Sequence, residues 1–171
     1  MTEPLDPGSE GSVLYPPELA DLECLIEIWL TLVTSQQAYG TTLLGDPNRK
    51  HIRRFLARLL VEDGIRCVAI NGEIVGFVTY ECQQDRFKRS VERGFIHNLF
   101  VKEPYRGLGL GTKLLEAAEA ELIERGVDVV RLEAMATNEK AHEFYRNRGF
   151  RPHRVVFQKT VETDTSNSSG R

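Results

Sequence analysis

"EPYRGLGLGTK", residues 103–113, places three glycines within five positions and runs directly into an apolar helical pattern. Glycine weakens helices and strands alike, by roughly 0.5–1 kcal/mol against alanine. Three of them in so short a stretch serve a backbone geometry that other residues do not reach, or a ligand that must touch the main chain. The apolar run "GFIHNLFV" (94–101) precedes them, and Leu114, Leu115, Ala118 and Leu122 follow at helical spacing. A strand that turns through glycines into a helix is an anion site. The first helical amides lack internal partners, the macrodipole adds partial positive charge, and missing side chains let a phosphate approach.

Two phosphate-binding patterns fail here. A P-loop needs glycine directly before its lysine, and Thr112 precedes Lys113. The dinucleotide pattern G-x-G-x-x-G ends on Thr112 when started at Gly107, and on Leu114 when started at Gly109.

The elements around this stretch define an α/β chain. "GSVLYP" (11–16) predicts a short first strand. Pro17 then opens a helix with Leu22, Leu25, Ile26, Trp29, Leu32 and Val33 on one face. The loop Tyr39 to Gly45 follows, and Asp46-Pro47 caps a second helix that buries Ile52, Phe55, Leu56, Leu59 and Leu60. The opposite face of that helix carries Lys50, Arg53, Arg54 and Arg58, a solvated basic face by expectation. Asn71-Gly72 predicts a tight hairpin between "RCVAI" and "IVGFVTYEC". After the glycine stretch and its helix, "VDVVRLEAM" (127–135) alternates as a strand. Asn138 caps a short helix through Tyr145, and "VVFQKT" (155–160) predicts a last strand. The order is β-α-α-β-β-β-α-β-α-β.

Composition sets the limits. The chain has 171 residues, 41% of them hydrophobic and 27% charged, which suits one domain with its own core. We expect disorder in 1–10 and 161–171, with a single domain over 11–160. A net charge of −3 argues against a general nucleic-acid binder. No apolar run approaches the ~20 residues that cross a bilayer. "MTEPLDPGSEG" has neither the basic nor the apolar region of a signal peptide. Cys24, Cys67 and Cys82 show neither disulfide nor zinc spacing, so we expect buried or semi-buried thiols in a reducing cytoplasm and no metal.

Arg106-x-x-Gly109-x-Gly111, entered from an apolar strand, resembles the GNAT superfamily of acyl-CoA N-acyltransferases. "NEKAHEFYRNRGF" (138–150) resembles a second motif of that family, N-x-x-A-x-x-F-Y-x-x-x-G-F. The two stand in family order, with one helix and one strand between them. The resemblance covers residues 65 to 158, and the first 60 in element order only. It implies a mixed, mostly antiparallel central sheet with helices on both faces and two neighbouring parallel strands that splay apart around acetyl-CoA. The pyrophosphate would sit on amides of Gly107, Leu108, Gly109, Leu110, Gly111 and Thr112, behind Arg106. The pantetheine arm would pair with the backbone of Leu99, Phe100 and Val101. Asn138 would lie near the cofactor arm, and Lys113 and Arg148 are weaker candidates for the nucleotide phosphates.

The implied activity is direct acetyl transfer to an amine, without a metal. The resemblance places Tyr145 beside the CoA sulfur, where a phenol can protonate the departing thiolate. It also makes Glu133 the first candidate for the base, and an ordinary ion pair with Arg131 is its structural alternative. His97, on the strand that would face the acceptor, is the rival base, because free imidazole titrates in the needed range. Phe144 is read as a core aromatic. The partners implied are acetyl-CoA and an amine acceptor: a protein N-terminus, a lysine side chain, a polyamine or an antibiotic amine. No nucleic acid or membrane is implied, and a homodimer is compatible. A non-catalytic acyl-CoA sensor is the alternative of a different class.

Overall fold

The computed structural model describes residues 11–84 and 90–161. The expectations for residues 1–10 and for 162–171 lie outside the described residues. The chain divides into two compact units, one ending at Thr137 and the other starting at Asn138.

The first unit is built on five strands in the order β1 (Ser12–Tyr15), β2 (Ile65–Ile70), β3 (Glu73–Cys82), β4 (Arg93–Val101) and β5 (Val129–Leu132), and the sheet order equals the chain order. Pairings β1–β2, β2–β3 and β3–β4 are antiparallel, and β4–β5 is parallel. The β2–β3 hairpin turns at Asn71-Gly72, with φ 52° and 81°, the left-handed pair that suits the twist of the strands.

Helices α1 (Leu22–Gln36) and α2 (Arg49–Val61) are each entered through a short 3-10 turn, at Leu19–Asp21 and Asp46–Asn48. The helix expected from Pro17 therefore becomes regular only at Leu22. Leu22, Leu25, Ile26, Trp29, Leu32 and Val33 are all buried, as their spacing predicts. They join Ile52, Leu56, Leu59, Phe77 and Phe100 in one apolar cluster. Each such side chain, fully buried, contributes about 1.5–3 kcal/mol relative to exposure.

Helix α3 (Leu110–Glu124) covers the other face of the sheet. Strand side chains alternate, so Gly76 faces away from Phe77, and a Cβ at Gly76 would meet Leu114 of α3 at 3.2 Å. Leu114, Leu115, Ala118 and Leu122 are fully buried there. This is the mixed, mostly antiparallel sheet with helices on both faces that the family resemblance implies.

One close approach has a measurable cost. Tyr80 N–H donates to the Gly64 carbonyl at 2.8 Å, and a Cβ at Gly64 would fall 2.5 Å from the Tyr80 carbonyl oxygen. Backbone on both sides cannot swing away as a side-chain tip can. We expect Gly64→Ala to destabilise the protein by about 1–3 kcal/mol. The measurement is urea unfolding: the midpoint falls at constant slope, and an unchanged midpoint would refute the clash.

Several expectations are corrected. The strand "VDVVRLEAM" keeps only Val129–Leu132, because the parallel ladder on β4 ends there. The second unit holds α4 (Glu139–Arg146), but 155–160 form no strand. Val155, Val156 and Phe157 are 71%, 89% and 92% exposed, and strand propensity without a neighbouring ladder does not make a strand. Cys67 is buried as expected, but Cys24 and Cys82 are exposed. The basic face of α2 is paired as well as solvated. Arg53 bonds Glu23, Arg49 bonds Glu27 and Arg58 bonds both Glu62 and Glu81.

Candidate functional site

Register places the site. Opposite β3, Thr79 pairs with Asn98 but Tyr80 pairs with Ile96, so His97 is an extra residue in β4. This is a β-bulge, which bends a strand and re-aims its side chains. It turns two consecutive side chains to the face covered by α1 and α2. The His97 ring meets Phe55 of α2 edge-on, with centroids 5.4 Å apart. The Asn98 Oδ1 accepts from Trp29 Nε1 of α1 at 3.1 Å and from Thr79 Oγ1 at 3.0 Å. An indole N–H only donates, so this bond fixes which way the amide points and leaves its Nδ2 hydrogens for other partners.

The parallel pairing ends at the same place. Strand β4 pairs with β5 from Arg93–Val129 to Ile96–Leu132 and no further. From His97 to Val101, β4 runs on with β3 on one side and, among the described residues, no strand on the other. Alternate backbone groups of Leu99, Phe100 and Val101 thus face an open edge, which an extended chain can pair with.

That edge leads into the glycine stretch. A 3-10 turn at Glu103–Tyr105 brings Arg106 back, so that its Nε donates to the Val101 carbonyl at 2.9 Å and its guanidinium lies over the Phe100 ring. Arg106 therefore braces the loop through that nitrogen. Gly107 and Gly109 have φ of 80° and 72°, and Gly109 is the residue that enters α3. The first intrahelical bond runs from Lys113 N–H to the Gly109 carbonyl at 3.1 Å. The amides of Leu110 and Gly111 precede it and have no intrahelical acceptor. Leu108 is half-buried, Leu110 is buried, and Thr112 completes the first turn. Lys113 turns its Nζ to Ser12 Oγ at 3.0 Å, so it ties α3 to β1. The residues expected to hold the pyrophosphate and the pantetheine arm are brought together at one end of β4.

The base candidates differ in setting. Glu133 lies just past β5 and is exposed. His97 is partly buried, and its Nε2 is 2.9 Å from Glu81 Oε1 of β3. The other Glu81 oxygen accepts from Arg58 Nη1 of α2 at 2.7 Å. Burial pushes the Glu81 carboxyl up, but the bonds and charges of Arg58 and His97 outweigh it and hold it below the usual range. Glu81, Arg58, Asn98 and Trp29 escape a reading of the sequence. One signal was present: His97 and Asn98 set two polar residues side by side in an apolar strand, which marks a slip of the two-residue period. The loop Tyr39 to Gly45 is tied to the chain after β5, where Thr137 Oγ1 donates to the Tyr39 carbonyl at 2.9 Å.

In the second unit Asn138 Oδ1 accepts from Ala141 N–H at 3.1 Å and so caps α4. Tyr145 packs edge-on against Phe144 and Phe150, at 5.3 and 5.8 Å between centroids. Burial pushes its phenol up, so the hydroxyl keeps its proton at neutral pH. Arg148 stacks over Phe144 at 3.7 Å and donates to the Phe144 carbonyl. Among the described residues no His, Cys, Asp and Glu cluster fits a metal, and no helix is long and apolar enough to cross a membrane.

Comparison with known proteins agrees with this layout. The model of the acetyltransferase (GNAT) family matches residues 29–150. An uncharacterised N-acetyltransferase of Archaeoglobus fulgidus is 29% identical over 133 residues, 77% of this chain and 87% of that one. N-alpha-acetyltransferase 30 of Schizosaccharomyces pombe is 33% identical over 108 residues, 63% of this chain and 69% of that one. The crystal structure of a GCN5-related N-acetyltransferase from Ralstonia eutropha superposes with a TM-score of 0.72 at 22% identity, covering 88% of this chain and 99% of the other. It shares the fold.

Proposed function

Because the chain belongs to the acetyltransferase (GNAT) family, we propose that it moves an acetyl group from acetyl-CoA to a primary amine by direct transfer in a ternary complex. Residues 11–160 act as one N-acetyltransferase domain in this reading. The observation that carries it is the open edge of β4 from His97 to Val101, leading into a helix whose first amides lack internal acceptors. An extended pantetheine arm suits such an edge, and a pyrophosphate suits such amides. Acetyl-CoA supplies the thioester, and the chain supplies position and proton handling.

The step balances simply. The amine lone pair attacks the thioester carbon, the C–N bond forms and the C–S bond breaks. Tyr145 gives its phenolic proton to the departing thiolate. A charged amine first gives one proton to a base, and after attack the nitrogen loses a second, which balances the proton Tyr145 has given up. Holding both substrates in line supplies much of the rate.

The acceptor we propose is the α-amine of a polypeptide, a choice supported by the name of the fission yeast relative. An α-amine starts near pKa 8 and a lysine near 10.4, so the former needs less help from a base at neutral pH. The test is CoA release from acetyl-CoA with three probes: a short peptide with a free N-terminus and no lysine, an N-terminally blocked lysine peptide, and spermidine. The first should turn over fastest. Turnover of spermidine alone would overturn the polypeptide acceptor, and release with none of the three would count against transfer to any of these amines.

For the base, the placement of His97 favours it over the exposed Glu133. We expect His97→Asn to lower kcat/KM by about 10–100-fold and to remove the acid limb of its pH profile. Glu133→Gln should cost less than about threefold. The reverse ranking would return the base to Glu133, and two silent variants would mean that water takes the proton.

A further inference from the structure

The proton-accepting side of this site extends beyond His97. We infer that Glu81 is a positioning residue for His97, and that Arg58 completes an Arg58–Glu81–His97 relay which fixes the imidazole with Nδ1 as its proton-accepting atom. This rests on the acetyl-transfer reading and names how the same site handles its proton.

Geometry dictates the tautomer. Glu81 faces His97 with Oε1, 2.9 Å from Nε2, and faces Arg58 with Oε2, 2.7 Å from Nη1. An ionised carboxylate only accepts hydrogen bonds. Nε2 must therefore donate, and the lone pair of the neutral ring sits on Nδ1. A histidine whose two nitrogens are told apart by a carboxylate is a base with a defined direction.

The ring is also held mechanically. Phe55 meets it at 5.4 Å and Phe95 at 4.9 Å between centroids, so it is clamped between an α2 and a β4 aromatic. Three different elements supply the relay: β4 gives His97, β3 gives Glu81 and α2 gives Arg58. The bulge joins them, since without the extra residue in β4 a histidine at this place and Asn98 would not share one face.

Charge sets the sign of each member's effect. The imidazole meets Glu81 of β3, and behind that carboxylate Arg58 of α2 bonds both Glu81 and Glu62. Glu81 stabilises the imidazolium, and Arg58 offsets that attraction. Orientation is the contribution we assign to the carboxylate. Removing its charge and removing the guanidinium charge push in opposite directions, which a purely structural role would not do.

The experiment follows the ring C–H signals of His97 by NMR across pH in the whole apo chain, assigned through His97→Asn. Glu81→Gln removes a negative charge and leaves Arg58 uncompensated, so the midpoint should fall by about one pH unit. Arg58→Met leaves the carboxylate uncompensated, so the midpoint should rise by a similar amount. The acid limb of kcat/KM, measured with acetyl-CoA and the free-N-terminus peptide, should move with each midpoint. The plateau should drop about tenfold or more in Glu81→Gln. Glu81→Asp, which keeps the charge, should restore part of the midpoint. Midpoints that do not move, or that move in the same direction, overturn the relay. Midpoints that move while the rate limb stays fixed overturn the role of His97 as base. Shifted midpoints with no turnover of any acceptor overturn the transferase reading, and the base role with it.

Discussion

Gly111→Val is expected to reduce acetyl-CoA affinity by at least about 100-fold in a protein that still folds. Tenfold in affinity is about 1.4 kcal/mol, so this asks for roughly 2.7 kcal/mol, within reach of lost contacts between a doubly charged pyrophosphate and main-chain amides. Position 111 separates ligand loss from fold loss. It lies inside the first turn of α3 with no left-handed φ, and valine is no poorer a helix former than the glycine it replaces. Gly109 does not offer that separation. Its φ of 72° is one that a β-branched residue resists, and Gly109→Val would disturb the helix start itself. Calorimetric titration with acetyl-CoA, alongside a circular dichroism melt, decides it. Unchanged affinity in a folded Gly111→Val variant would rule out the α3 N-terminus as the phosphate cradle.

Tyr145→Phe is expected to lower kcat by about 100-fold while leaving acetyl-CoA affinity within about twofold. Phenylalanine keeps the ring that packs edge-on against Phe144 and Phe150, so α4 loses little. Only the hydroxyl goes. Burial holds that hydroxyl in its protonated form, the form a thiolate can draw on. The thiolate of the variant must then leave unprotonated or find water, and the cost should appear in turnover and not in binding. Equal kcat in the two proteins would move the acid elsewhere. Tight binding with no turnover in the wild type would favour a sensor of acyl-CoA over an enzyme.

Much of the architecture was legible because it is written in local periodicity. The buried face of α1 follows from the spacing of Leu22, Leu25, Ile26 and Trp29, and the β2–β3 hairpin from Asn71-Gly72 alone. The glycine turn into α3 was legible because it stands between an apolar strand and an apolar helical pattern. The relay was not, since Glu81 and His97 meet only through the register of β3 on β4, and that register shifts between Thr79 and Tyr80. The adjacent polar pair in "GFIHNLFV" marks a slip of the period, but it does not say which residue of β3 either one meets. The basic stripe on α2 was half legible: its charges were plain, but their neutralisation by Glu23 and Glu27 of α1 depends on how two helices pack. The expectation of a last strand at 155–160 failed for the opposite reason. Three adjacent apolar residues advertise a strand, and a strand exists only where another offers its hydrogen bonds.

The single supernumerary residue in β4 makes this strand sensitive to chain length in a way that composition does not reveal. Deleting position 97 removes an imidazole, and it also lets β4 fall into step with β3, with Asn98 beside Ile96 as Thr79 is beside Tyr80. A one-codon loss there would thus be a change of register, moving every residue on one side of it to the other face, which a substitution at the same position does not do.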